Sequence, residues 1–404
     1  MYRQTTLFTL DQIIELQPLT KLQAVLTFID YSILLQAFQI PPHKRGPKGF
    51  TYEHLLNALI AMQLEQIVTI KRLVKRLKTD PVFRITCGFD ALGKTPSQAT
   101  FSRFICRLSN TDVLVKTFQR MIRRANTLGL IDGTYVSIDA SKLDAFEHPL
   151  PKAKIPQNNP EFPNWGAKND TNGNMIKWFG WKMHALVDTS SGIPLAYIIT
   201  PANVADMDIA IPLMEKLKKD YDQLFKPSYY IMDTGYDKPL IYQEAVTNFD
   251  AQAIIPLNWR NTKIPPEGIN WEGQMVCSMN FPYVYGGNDQ GTIRLLCPHV
   301  HQKANCPMGS HWCTDAKSGY IGKVKIKDNP RFVSSPMRGT PAWYELYNMR
   351  TSVERFFGDG KEHYALNNLR VSGIKKAKVF MDLTCIAIIA SKMVKADKTL
   401  NHAA

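Results

Sequence analysis

The sequence predicts an all-helical segment over residues 1–130 and an α/β domain over residues 131–257 and 341–396, interrupted by an insertion over residues 258–340. Three observations predict it. As far as about residue 130, apolar residues recur at helical spacing; from Gly133 they fall in short runs rich in β-branched and aromatic residues. Those runs come in the order strand, strand, strand, helix, strand, helix, strand. Residues 258–340 then break the order with a composition rich in Pro, Gly and Asn.

Residues 1–40 alternate short apolar runs with polar residues and carry no motif. The stretch from Pro41 to Gly49 is basic and rich in turn formers, so it reads as a linker. Thr51 to Leu77 is helical by period, with Lys71, Arg72, Lys75, Arg76 and Lys78 on one arc and Ile70, Leu73, Val74 and Leu77 on the other. Such an arc suits DNA phosphates, or is an ordinary solvated face. Pro96-Ser97 opens another helix, on which Arg103 and Arg107 share a face. Successive short helices with basic faces fit a helix-turn-helix-like module. Tyr135 to Ser141 is a strand ending near Asp139, and residues 149–175 read as a loop. Trp178 to Asp188 and Ile193 to Thr200 are strands around the Ser190-Ser191-Gly192 turn. A helix from Ala205 to Asp222, a strand from Tyr229 to Asp233, a helix from Lys238 to Phe249 and a strand from Ala251 to Leu257 follow. This is the order of a ribonuclease-H-like fold. A last, mostly apolar helix spans Lys375 to Lys395.

The chain of 404 residues carries a formal net charge of +14. Residues 1–130 hold 18 Lys/Arg against 8 Asp/Glu, a net of +10. A polyanionic partner, nucleic acid before membrane, is the simplest reading. The first 20 residues lack the pattern of a secretory signal. The most apolar stretch, Val379 to Val394, is short for a membrane span and is broken by Asp382, Ser391 and Lys392. Seven cysteines, an odd number, fit a reduced cytoplasmic protein.

The chemistry centres on residues 347–361. Read as one helix at about 100° per residue, Tyr347, Arg350, Glu354 and Lys361 fall within about 60° of one another, beside an apolar stripe. Glu354 can hold a hard cation while Arg350 and Lys361 meet an anion. Gly358-Asp359-Gly360 predicts a kink before Lys361. Asp139 and Asp233 stand at strand ends. Three carboxylates on converging elements make a candidate two-metal site for phosphodiester chemistry, surface carboxylates being the alternative.

The spacing Tyr-(2)-Arg-(3)-Glu-(6)-Lys at residues 347–361 resembles the signature of bacterial insertion-sequence transposases of the DDE type. The blocks Ser137 to Ser141, Gly180 to His184, Asn203 to Asp206 and Asp233 to Asp237 come in that family's order, and residues 95–104 resemble its helical N-terminal domain. The resemblance implies catalytic, metal-binding Asp139, Asp233 and Glu354, with two Mg²⁺ (or Mn²⁺) ions. It sets aside Asp132, Asp144, Asp188, Asp206 and Asp237 as bystanders. Tyr347, Arg350 and Lys361 are implied to contact the element end. Trp178 is a candidate to stack on a flipped base, or else a core residue. With Lys71, Arg72, Lys75, Arg76 and Arg103 these make the expected DNA contacts. Family members often carry a Cys-rich insertion here. Cys277, Cys297, Cys306 and Cys313, with gaps of 19, 8 and 6 residues and no Cys-x-x-Cys knuckle, are candidate zinc ligands or plain buried thiols. The implied activity is cut-and-paste transposition in the bacterial cytoplasm, at the nucleoid, by a homodimer on element-end and target double-stranded DNA. The alternatives are a metal-dependent nuclease without transfer activity and a domesticated, non-catalytic DNA-binding protein.

Overall fold

The structure is a computed structural model, and it describes residues 19–39, 49–156, 159–169, 172–221, 224–260 and 262–397. Most of the Pro41–Gly49 linker lies outside these residues.

Helices α1 (Lys21–Thr27) and α2 (Ser32–Ala37) come first. The predicted helix over 51–77 is two helices, α3 (Tyr52–Leu64) and α4 (Ile70–Thr79). The chain turns between them at Gln66, whose φ is +50°, and Thr69 caps α4 by accepting from the Arg72 N–H at 3.1 Å. α5 (Pro81–Thr86), α6 (Gln98–Ser109) and α7 (Val113–Thr127) follow. Ser97 caps α6 through the Thr100 N–H, which makes the Pro96-Ser97 start a real one.

The main sheet holds β1 (Tyr135–Asp144), β2 (Asn164–Asn169), β3 (Met175–Asp188), β4 (Pro194–Pro201), β5 (Tyr229–Ile231) and β6 (Gln252–Ile254). β4, β3 and β1 are antiparallel neighbours, and β5 and β6 run parallel to β1. The order β4-β3-β1-β5-β6 is that of a ribonuclease-H-like sheet. β2 is an addition, paired with the first half of β3, inside the stretch read as a loop. Its Gly, Asn and Lys content hides the strand, which needs β3 as its template. Helix α8 (Ala210–Tyr221) packs on β3 and β4, and α9 (Pro239–Asn248) on β6.

The insertion contains its own antiparallel sheet, β7 (Val284–Asp289), β8 (Thr292–Leu296) and β9 (Ile321–Lys325), over a small core of Met275, Ile293, Leu295, Ile326, Val333 and Met337. Arg331 fastens it to the main domain through a two-pronged contact with the buried Asp237, at 2.7 and 3.0 Å.

α10 (Pro341–Asn348), α11 (Thr351–His363) and α12 (Ile374–Ala396) close the chain. Nearly every residue of α12 from Ala377 to Val394 is buried, against α7, α3, α6, α1 and β4. That explains why its sequence is apolar all round. Asp382 sits within this core, where the Tyr197 hydroxyl of β4 donates to it. Through α12 the N-terminal helices and the sheet share one hydrophobic core. No helix among the described residues is long and apolar enough to cross a membrane.

Candidate active site

The site lies midway along β1, just past the carboxyl end of β5 and beside α11. Parallel pairing sets Val136 opposite Tyr230 and Ser137 opposite Ile231. Two residues further along each chain stand Asp139 and Asp233. A strand alternates faces, so Asp139 shares a face with Ser137, and Ser141 follows on it.

That face receives α11. Ser137 and Ser352 hydroxyls meet at 2.8 Å, and the Lys361 ammonium donates to the Ser141 hydroxyl at 2.5 Å. From Ser352 to Lys361 a helix rises about 13.5 Å, and from Ser137 to Ser141 a strand advances about 13 Å. The two contacts therefore pin α11 alongside β1, running the same way, with Asp139 between them. Val353, Phe356 and Phe357 bury the helix's apolar side.

Arg350 joins the carboxylates. One guanidinium nitrogen is 2.7 Å from Glu354, and another is 4.0 Å from Asp139. Glu354 is 48% exposed and Asp139 22%. Burial pushes the Asp139 carboxyl up to about 7; the Ala140 N–H and Arg350 oppose this, while Asp233 and Asp206 add to it. Burial also raises Asp233, against the Gly235 N–H, which donates to its carboxylate at 2.8 Å, and against Arg350.

Three sequence expectations change here. The 347–361 helix is two helices, because the chain turns at Met349 and Arg350. Tyr347 thus lies on α10, stacked on Trp343 at 5.5 Å, with the Arg350 guanidinium 5.7 Å from its ring. The kink expected at Gly358-Asp359-Gly360 is absent, since α11 runs straight through. Gly360 is needed for packing: a Cβ there would stand 2.9 Å from Leu366. Asp139 is not at the end of its strand, which continues to Asp144.

Two further candidates have partners within the fold, Trp178 in the core position that the sequence also allowed. Trp178 is a core residue, 5% exposed, with Gly166 of β2 against its ring. A base could reach the indole only if β2 left it. Arg76 is engaged within the fold, by Glu65 at 2.5 Å, Asp80 at 3.5 Å and the Phe83 ring. Lys71, Arg72, Lys75 and Arg103 are exposed.

Sequence reading misses Asp206. It holds Lys182 at 2.9 Å, lies 3.8 Å from the buried His184, and is close enough to raise both Asp139 and Asp233. Burial lowers His184 to about 4, so the ring is neutral beneath the site. The signal is present in the blocks Gly180 to His184 and Asn203 to Asp206, which carry these residues.

A match to the family described as Transposase DDE domain covers residues 125–390, and so takes in all three carboxylates. The chain belongs to the DDE transposases. A second match, to the family described as Transposase domain (DUF772), covers residues 8–107. No curated protein sequence matches the transposase. Its fold aligns over 95% of its length with 72% of a piggyBac transposase, solved as a synaptic complex with hairpin DNA, at 11% identity and a TM-score of 0.41. It is an enzyme acting on DNA. Among its described residues no group of three His, Cys, Asp or Glu side chains is arranged to hold a metal ion.

Proposed function

We propose that this transposase binds the terminal inverted repeats of an insertion sequence and carries out cut-and-paste transposition with Asp139, Asp233 and Glu354. The observation that carries the reading is the nearness of Asp139, on β1, to Asp233, two residues past the parallel β5, with Arg350 reaching from Asp139 to Glu354.

The residues fit hard divalent cations. Burial lifts the Asp139 carboxyl to about 7 and the charge of Asp233 adds to the rise, so a cation at this point offsets both. Two Mg²⁺ or Mn²⁺ ions held by the triad would activate the attacking oxygen and stabilise the leaving one. The chain's own residues do the rest. Asp139 and Asp233 are fixed by the Ala140 and Gly235 N–H groups. Glu354, the most exposed of the three, is held by the Arg350 guanidinium at 2.7 Å. Lys361, at Ser141, holds a phosphate further along the strand. Tyr347 supports Arg350 through its ring. We assign the reaction to the group with the Tyr-Arg-Glu-Lys signature, acting as a homodimer on DNA.

The test is a reaction of the purified chain with element-end DNA, target plasmid and Mg²⁺. Joined products are expected. Nicking without joining would make the protein a nuclease, and binding without nicking a domesticated DNA-binding protein.

We assign end binding to residues 1–130, with α4 and α6 offering cations to phosphates. Lys71→Ala and Lys75→Ala together should lower affinity for any duplex and flatten the log–log salt dependence by about 0.9 for each phosphate no longer neutralised. Arg76→Ala should leave that slope unchanged, because Glu65 and Asp80 already occupy the side chain, and should lower thermal stability instead. A slope that moves with Arg76 and not with Lys71 and Lys75 would reverse the assignment.

A further inference from the structure

β2 and the first residues of β3 form a two-stranded ribbon that outruns the sheet. The pairing of β1 with β3 ends at Asp144 opposite Gly180, whereas β2 stays with β3 as far as Asn169 opposite Met175. From Met175 to Trp178, β3 therefore pairs with β2 alone. An isolated pair of strands is marginal in water, and this one is braced at its base. The Trp178 ring lies against Gly166, Trp165 meets Phe179 at 5.6 Å, and the Trp165 indole N–H donates to the Leu150 carbonyl at 2.8 Å.

Past the brace the ribbon covers no core. Ala167, Lys168, Met175, Ile176 and Lys177 are all exposed, Met175 by 63%. The register sets Lys168 across from Ile176 on one face. Lys177 and Met175 project from the other, because side chains alternate along a strand. Each face thus offers one cation beside one large apolar side chain. Neither lysine has an ion-pair partner among the described residues, and the described residues of the ribbon include no acid. The ribbon also comes near the carboxyl-terminal end of α11. Desolvation lowers the Lys361 ammonium, and the charges of Lys168 and of Lys142 lower it further. Lys142 has only a loose contact with Asp144, at 3.8 Å. Lysines gathered in this way suit a partner with a row of negative charges.

We propose that the β2–β3 ribbon is a DNA-binding arm. It enters a groove of the duplex that leads away from Asp139, with Lys168 and Lys177 on backbone phosphates and Met175 and Ile176 against the groove. The major groove of B-DNA admits a two-stranded ribbon, and exposed Met and Ile side chains suit apolar contact with sugars and base edges. The position of that duplex rests on the reading of Asp139 as the cleavage site; the arm's contact with DNA does not.

The experiment measures binding of the full-length chain to a long duplex of arbitrary sequence over a series of salt concentrations. The Lys168→Ala, Lys177→Ala double variant should flatten the log–log salt dependence by about 1.8, two phosphates at about 0.9 each. Lys303→Ala with Lys317→Ala, exposed lysines of the insertion, should leave the slope at its wild-type value. A photo-cross-linking residue in place of Met175 should join the chain to the duplex, and this decides the matter if the double variant does not fold. An unchanged slope in a double variant that keeps the wild-type Tm, or a folded chain that gives no cross-link from position 175, would overturn the proposal. Failure of the transposition reading would show separately: the slope and the cross-link would behave as expected while the wild-type chain never nicked element-end DNA.

Discussion

Asp139→Asn, Asp233→Asn and Glu354→Gln should each abolish strand cleavage while end binding stays near the wild-type level. Metal ions in two-metal phosphodiester chemistry typically contribute several kcal/mol of transition-state stabilisation, so on the proposed reading loss of a ligand charge should cost on the order of 10³-fold or more in cleavage rate. Binding rests on cations elsewhere and should not follow. The Asn variants are chosen because an amide oxygen can still accept the Ala140 or Gly235 N–H that each carboxylate now accepts. The same variant carries a stability signature. The Asp139 carboxyl is raised from 3.8 to about 7 on folding, so the folded state binds its proton more tightly than the unfolded state. Stability from this group is therefore lost as pH rises from about 4 to about 7, and the loss is complete above that window. Asp139→Asn removes the loss. At pH 8 without Mg²⁺ it should melt above wild type, whereas Mg²⁺ should raise the wild-type Tm and leave the variant's unmoved. A variant that cleaves at the wild-type rate would remove that residue from the triad.

Much of this site is legible in the sequence, and the limits of the reading have physical causes. Asp139, Asp233 and Glu354 can be picked out because each lies in a short block that resembles one of the DDE transposases' own, in the same order; as carboxylates alone they would not stand out. Their convergence is not legible, since it depends on the parallel pairing of β1 with β5 and on α11 lying along β1. Periodicity carries across the breaks at Gln66 and Met349, because a turn of a few residues barely disturbs an apolar stripe. Helix propensity wrongly penalises Gly358 and Gly360, whose helix is held by packing on the core. β2 is hidden for the opposite reason: apart from Trp165 its residues lack strand preference and take their geometry from β3. Asp206 is a bystander in sequence terms, and only the fold brings it near both aspartates.

Arg350→Ala should act through the carboxylates it joins, and its pH profile should reveal this. The guanidinium lowers both Asp139 and Asp233 and pairs with Glu354 at 2.7 Å. Without it both aspartates hold their protons to higher pH, while Glu354 loses the partner that fixes its side chain. Residues that orient a metal's ligands typically matter by about 10–100-fold in metal affinity or activity, and a loss of that size is expected here. The rising limb of cleavage against pH should move to higher pH, with more Mg²⁺ needed at any given pH, because the ion then competes with a more tightly held proton. Arg350→Lys separates the two roles. It keeps the positive charge, so the limb should return toward its wild-type position. It lacks the planar fork that reaches two carboxylates at once, so the rate should recover only in part. A residue that merely braced the turn between α10 and α11 would lower Tm in both variants and leave the limb where it was. That outcome would take Arg350 out of the chemistry and leave Glu354 without its link to Asp139.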